Sequence, residues 1–184
     1  MEPKLRRFLS QRRKRRINDP GRVPAAVLMP VYRKQGQYHI LFIKRTDTVK
    51  THRGEVSFPG GTYQAEDGTM LNTALRECAE EIGLRAGDVE ILGELDDEAT
   101  ATSNYTVSPF VALIPWPYRF RKCPAEVAEI IEAPVAALLD GDCRRQNTET
   151  GEAEFHYQGR VIWGATARML DRFLDIFRRA SRED

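Results

Sequence analysis

Three glutamates near the middle of the chain have the type and spacing expected of metal ligands. They are Glu77, Glu80 and Glu81, in a run that ends at Gly83. On a helix the carboxylates of Glu77 and Glu81 would be neighbours, and like charges four residues apart destabilise a helix. A terminating glycine also places them at the helix end where the macrodipole disfavours negative charge. A divalent cation would compensate, since Mg²⁺ takes carboxylate oxygens and shares them with phosphates.

A helix over residues 70–82 would position these glutamates. Its apolar residues recur with helical spacing, at Leu71, Leu75, Cys78 and Ile82. At about 100° per residue the three glutamates share a different arc, beside this stripe. Arg76 lies next to Glu80 and would orient the carboxylates without transferring protons. The alternative interpretation is an ordinary surface helix with a solvated acidic face.

The segment before this helix reads as a strand, a glycine turn and a polar loop. Residues 56–58 are a short apolar stretch, and Pro59, Gly60 and Gly61 follow it. Paired glycines let the backbone approach a ligand more closely than side chains would permit. Asp67 or Thr69 could cap the helix that begins at residue 70.

The segment from the glycine turn to the end of the acidic helix resembles the signature motif of the Nudix family. Gly61, five residues, Asp67, eight residues and then the run from Arg76 to Leu84 look like the Nudix box. The family pattern usually has Glu where Asp67 stands and one residue fewer before the arginine. The resemblance implies hydrolysis of a nucleoside diphosphate linked to another moiety, with Mg²⁺ or Mn²⁺ as the cofactor. Metal ligation then falls to Glu77 and Glu81, with Glu80 as a third ligand or a water-held support and the Gly61 carbonyl completing the shell.

Further segments are similar to the coenzyme A pyrophosphatase branch of that family. They are residues 41–46, Lys50, Gly54, residues 58–61, residues 92–95, residues 107–111 and residues 162–167. The resemblance implies that coenzyme A and acyl-coenzyme A are cleaved to 3′,5′-ADP and 4′-phosphopantetheine. Two alternatives stay open. One is a Nudix hydrolase acting on ADP-ribose, a dinucleotide or a nucleoside triphosphate, and the other is a non-catalytic binding or regulatory module.

Basic residues between Lys44 and Gly54 are the candidates for substrate binding. Lysine and arginine are usual phosphate partners, and the 3′-phosphate of coenzyme A would need such a contact. We expect this role for Arg45, Lys50, His52 and Arg53, together with Gly60 and Gly61. A hairpin end with ordinary solvated charges is the alternative.

The general base is harder to place. Glu126 matches a glutamate that assists the metal or the water in related enzymes, so the resemblance favours it. Glu129 lies close enough to compete, and either residue could instead be a solvated helix residue. His52 has a suitable unperturbed pKa, but its basic neighbours favour phosphate contact.

Composition sets the remaining bounds. The chain has 184 residues, three cysteines and a formal net charge of +1. This length suits one domain, and the balanced charge argues against a general polyanion-binding surface. The cysteines form no C-x-x-C pair, and neither a membrane span nor a secretory signal is visible. We therefore expect a cytoplasmic protein with a small-molecule partner, no membrane partner and no nucleic acid, with a homodimer left open.

Residues 1–22 form a basic leader before the domain at residues 23–184. The leader could be a nuclear signal, a transit peptide, a nucleic-acid arm or an amphipathic helix carrying Leu5, Phe8 and Leu9. A solvated, partly helical leader is the simplest interpretation.

The order of elements after the leader predicts an α/β fold. Strands are expected at residues 25–31, 38–44, 89–95, 106–114, 155–157 and 160–163. A short helix is expected at residues 134–139 and an amphipathic helix at residues 164–179. This order gives a mixed sheet flanked by helices, and the resemblance implies the Nudix α/β/α sandwich.

Overall fold

A computed structural model describes residues 1–47 and 54–183. Its helices are α1 (Glu2–Gln11), α2 (Met70–Ile82), α3 (Val135–Leu139) and α4 (Gly164–Arg182). Its strands are β1 (Val23–Lys34), β2 (Gln37–Arg45), β3 (Val56–Ser57), β4 (Gly60–Thr62), β5 (Glu90–Glu94), β6 (Glu98–Ala99), β7 (Tyr105–Leu113), β8 (Val127–Pro134), β9 (Arg144–Gln146), β10 (Ala153–Tyr157) and β11 (Arg160–Ile162). Short 3₁₀ turns occur at Ala65–Asp67 and Ala86–Asp88.

Within the described residues, eight strands form one mixed sheet and β9 to β11 form a second, smaller one. The long path of the main sheet is β3-β2-β1-β7-β5, with β4 paired to β1, β6 to β7 and β8 to β2. The pair β1–β7 is parallel, whereas the other pairs of this sheet are antiparallel. The prediction of a mixed sheet flanked by helices is confirmed.

The core lies in two layers, one on each face of the main sheet. Along β2, Ile40 and Phe42 point into the layer that contains α1, α3 and α4, while Leu41 and Ile43 point into the layer that contains α2. This alternation follows from the two-residue period of a strand. The sheet therefore separates the acidic helix α2 from the C-terminal helix α4.

Helix α4 forms where the sequence predicts it, and two hairpin turns join strands that the sequence also predicts. The apolar stripe of α4 is buried at Met169, Leu170, Phe173, Leu174 and Phe177. Both hairpins turn through left-handed residues, Gln35-Gly36 between β1 and β2 and Gln158-Gly159 between β10 and β11. Such two-residue turns match the twist of antiparallel strands.

The expectation of a solvated leader is wrong for its apolar residues. Helix α1 buries Leu5 and Leu9 in the core layer shared with α4. The basic chain that follows lies along acidic residues: Arg12 Nη2 donates to Asp96 at 2.8 Å, and Lys14 Nζ pairs with Asp97 at 2.9 Å. The leader is therefore a packed part of the fold.

The described helices include none that is long and apolar enough to span a bilayer.

A second correction concerns residues 126–129, for which a solvated helix was an open alternative. Glu126 lies in the turn before β8, and Glu129 lies within β8.

Candidate metal centre and active site

Helix α2 has a defined start and end, which fix the register of its glutamates. Thr69 caps the start, its Oγ1 accepting the Asn72 N–H at 3.1 Å. Gly83 ends the helix in the left-handed region at φ 69° and donates its N–H to Ala79. Of the two proposed caps, Thr69 is therefore the one that closes this helix end.

Glu81 lies beneath the glycine turn and is almost fully buried, at 1% exposure. Its Oε2 accepts the backbone N–H of Gly60 at 2.9 Å, and its Oε1 lies 3.3 Å from Arg45 Nη1. Burial raises the pKa of Glu81 to about 8, although the Gly60 N–H and the charge of Arg45 oppose that shift. The carboxylate is thus held from two sides.

The carboxyl group of Glu77 packs directly against Gly61. A Cβ at position 61 would lie 2.5 Å from Glu77 Oε1, so the close approach requires glycine there. Arg76 Nη1 donates to the same Oε1 at 2.8 Å. Burial raises the pKa of Glu77, and this neighbouring guanidinium lowers it in part.

Asp67 anchors Arg76, which joins the polar loop to the acidic helix. Arg76 Nε donates to Asp67 Oδ1 at 2.8 Å and Nη2 donates to Oδ2 at 3.1 Å. Asp67 also accepts the Thr73 hydroxyl at 2.8 Å. These hydrogen bonds, led by those from Arg76, hold the pKa of Asp67 well below its usual range.

Glu80 occupies a different position from the other two glutamates. Its side chain is 57% exposed, and its Oε2 accepts from Arg76 Nη1 at 3.2 Å. Within residues 1–47 and 54–183, no three acidic, histidine or cysteine side chains are grouped closely enough to hold a metal ion as they stand. The sequence led us to expect that a metal ion alone would offset the repulsion between these carboxylates. That expectation is corrected, because Arg76 and Arg45 contact them.

Glu126 approaches Glu77 and Glu81 from another part of the chain, the turn before β8. Its carbonyl accepts the Thr46 N–H at 3.0 Å, which fixes the turn beside the end of β2. Its negative charge contributes to raising the pKa of both Glu77 and Glu81. Glu129 is instead paired with Arg160, whose Nε donates to Oε2 at 3.0 Å.

A cavity of about 600 Å³ opens beside the glycine turn. Gly60, Gly61 and Arg45 form the side nearest the glutamates. Three further segments contribute to the lining, residues 100–107, residues 147–154 and residues 161–169, and we call them the far wall. Buried carboxylates thus lie next to a space large enough for a small molecule.

The comparisons with known proteins agree with this geometry. The family model of the NUDIX domain matches residues 22–155. A protein of Photorhabdus laumondii named as an uncharacterized Nudix hydrolase, NudL, is 34% identical over 162 residues, which cover 85% of each chain. The chain belongs to the Nudix family.

Two solved structures show the same fold. A Nudix hydrolase from M. smegmatis, RenU, gives a TM-score of 0.60 at 18% identity and covers 86% of this chain and 88% of its own. The Ap4A hydrolase of C. elegans gives 0.56 at 17% identity, with 85% and 98% covered. At these identities the likeness concerns the Nudix fold.

Nudix hydrolases generally use divalent metal ions, and the donor set of this chain suits such an ion. Glu77 and Glu81 offer carboxylate oxygens, and hard cations take oxygen ligands. Because Gly61 has no Cβ, the Glu77 carboxylate can pack against the Gly61 backbone. The fit is weaker for Glu80, whose carboxylate is turned to Arg76.

The sequence-based site residues fall into three groups in the Nudix fold. Those brought together at one place are Arg45, Gly60, Gly61, Arg76, Glu77, Glu81 and Glu126. Glu80 lies at the exposed edge of the same place. Lys50, His52 and Arg53 lie outside the described residues.

Sequence reasoning missed two features of this Nudix site. It gave Asp67 only as a possible helix cap, whereas the carboxylate pairs with Arg76. A carboxylate nine residues before an arginine in a capped helix could have suggested this ion pair. It also missed the far wall of the cavity, where Trp163 is 46% exposed. The similarity of residues 162–167 to the coenzyme A branch was the available signal.

Proposed function

We propose that this Nudix hydrolase uses a divalent metal ion to cleave the diphosphate of coenzyme A and acyl-coenzyme A. The products are 3′,5′-ADP and the corresponding 4′-phosphopantetheine. The observation that carries the proposal is the pair of carboxylates, the partly buried Glu77 and the buried Glu81, packed against Gly61 and Gly60 at the edge of the cavity. Attack on a diphosphate needs charge neutralisation and positioning more than covalent help.

Glu77 and Glu81 would hold Mg²⁺ or Mn²⁺ together with the carbonyl oxygen of Gly61, and Glu80 would support them as a further or water-held ligand. When bound, the ion supplies neutralisation of the diphosphate charge and a lower pKa for a bound water. Arg76 keeps Glu77 in place and is itself fixed by Asp67. Gly60 and Arg45 do the same for Glu81.

Glu126 is the proposed general base. Its charge acts on both Glu77 and Glu81, so it lies close to the proposed metal ligands. Its carboxylate would accept a proton from the oxygen of that water. Glu129 is a poorer choice because Arg160 engages it.

Substrate recognition follows from the basic residues at the same edge. Arg45 lines the cavity and contacts Glu81, so its guanidinium could bind a phosphate of the substrate next to the acidic site. We propose that Lys50, His52 and Arg53 serve the 3′-phosphate. The similarity to the coenzyme A branch supports this choice of substrate.

A substrate panel tests the proposal. Coenzyme A, ADP-ribose, a dinucleotide and a nucleoside triphosphate are incubated with and without Mg²⁺, and the products are separated by chromatography. The expected result is Mg²⁺-dependent release of 3′,5′-ADP, fastest with coenzyme A. Equal or better turnover of ADP-ribose would overturn the choice of substrate, and no turnover of any diphosphate would overturn the enzyme.

A further inference from the structure

The cavity lining combines a cation beside the glutamates with exposed apolar side chains elsewhere, and this bears on how a substrate lies in it. The near side is made by Arg45 and the two glycines that contact the glutamates. The far wall mixes polar and apolar residues, and it carries two of the large hydrophobic side chains that are exposed among the described residues, Val161 at 40% and Trp163 at 46%. An open indole in such a wall offers a large, rigid contact surface with one polar end.

The charged residues of the far wall do not suit an additional phosphate. Glu154 accepts from Asn147 Nδ2 at 3.2 Å and contacts His156, which together hold its pKa below the usual range and keep it negative. Glu152 also lines this wall. A phosphate here would meet two carboxylates, Glu154 and the half-exposed Glu152 that pairs with Arg168, and the like charges would repel it.

Arg168 is the cation of this wall, and its guanidinium is engaged elsewhere. Nε donates to Glu98 Oε2 at 2.9 Å, Nη1 donates to Glu152 Oε1 at 3.0 Å, and Nη2 donates to the Ala99 carbonyl at 2.8 Å. All three nitrogens therefore have protein acceptors. Its charge is already offset by two ion pairs, one with the buried Glu98 and one with Glu152.

We infer that the far wall binds the uncharged arm of the substrate, the pantetheine chain with any acyl group, and that Trp163 and Val161 provide its contact surface. This inference rests on the proposed function and adds an orientation to it. The 3′-phosphoadenosine half then points away from this wall. Backbone N–H groups in the first turn of α4 lack intrahelical acceptors and suit the amide carbonyls of the pantetheine chain.

The two reaction products separate the two possible orientations. Binding of 4′-phosphopantetheine and of 3′,5′-ADP is measured by calorimetry, each in the presence of Mg²⁺, with the full chain and its Trp163→Ala variant. We expect the Kd of 4′-phosphopantetheine to rise roughly tenfold, the loss of one aromatic contact. The Kd of 3′,5′-ADP should stay within twofold, a difference of about 0.4 kcal/mol.

A pair of valines supplies the matched control. Val161 and Val23 are both 40% exposed, and of the two only Val161 lines the cavity. Val161→Ala should weaken 4′-phosphopantetheine binding, whereas Val23→Ala should leave both products unchanged. Thermal unfolding of each variant checks that the fold is retained, and Trp163→Phe should restore part of the binding.

The reverse orientation would place a phosphate against the far wall. The feature that would favour it is the N-terminus of α4, which lines the same wall. Selective loss of 3′,5′-ADP binding in Trp163→Ala, or an equal change for both products, would overturn the orientation. Failure of the proposed function looks different: coenzyme A would not be hydrolysed by the unaltered protein. The binding measurement is read independently of that assay.

Discussion

At the scale of single residues, two arginines hold the carboxylates of the acidic site in place. Arg76 contacts Glu77 and Arg45 contacts Glu81, and Asp67 holds Arg76 through two hydrogen bonds. The sequence shows like charges that should repel, but it does not show which cations fold back against them. Glu77 and Glu81 were predictable from their spacing, whereas their arginine partners are set by tertiary contacts.

Glu81→Gln should keep the fold and lower Mg²⁺-dependent turnover by roughly 10³-fold or more, since it removes one negative charge from the proposed metal site. The measurement is kcat with coenzyme A, alongside circular dichroism. Glu66→Gln is the matched control because Glu66 is exposed on the preceding loop. A near-normal rate in Glu81→Gln would exclude this role.

Asp67 should make the free energy of unfolding decrease as the pH falls into the acidic range. Its folded-state pKa lies below the unfolded value, so its contribution is present above about pH 4 and is lost as pH falls further. Urea unfolding from pH 7 to pH 3 should show a smaller acid-induced loss in Asp67→Asn than in the unaltered chain. Parallel curves for the two proteins would contradict this assignment.

Asp67 should also act as a positioning residue for catalysis. Asp67→Ala frees Arg76 from its anchor, so kcat should fall by roughly tenfold to a hundredfold while KM changes little. Asp67→Glu restores a carboxylate, and Glu is the residue that the Nudix pattern usually has here. Recovery of kcat in Asp67→Glu would support positioning; an unchanged kcat in Asp67→Ala would exclude it.

At the scale of elements, local patterns predicted most of the fold. Helix α2 occupies residues 70–82 as expected, because its caps and its apolar stripe are local signals. Strand β8 was missed: it follows a Pro-containing segment and alternates poorly, and its pairing with β2 is a long-range contact. An amphipathic helix with Leu5, Phe8 and Leu9 was one alternative for the leader, and the structure favours it; its docking on the core is a long-range contact that no local pattern shows.

The α1 helix should contribute measurably to stability. Leu9→Ala should lower the free energy of unfolding by about 2–5 kcal/mol, the usual cost of truncating a buried leucine. Urea denaturation measures this loss, and Arg13→Ala, at an exposed position, is the control. Equal stability of the two variants would show that α1 is not packed as described.

At the scale of the whole molecule, the main sheet and its glycine turn bring together residues that are far apart in the sequence. The cavity combines the glycine turn with residues 100–107, residues 147–154 and the start of α4. Pattern reading predicted the acidic half of this site and left the far wall unassigned, since no local period links these segments. The fold therefore adds the binding space to the catalytic motif.

The most direct test of the central claim is a crystal structure with Mn²⁺ and a non-cleavable diphosphate analogue. Anomalous scattering locates the ion without reference to the protein chain. The expected result is an ion bonded to Glu77 and Glu81, with the analogue's diphosphate beside it and Gly61 within reach. An ion bound elsewhere, or a diphosphate bound away from these glutamates, would contradict the assignment of a Nudix metal site to this helix.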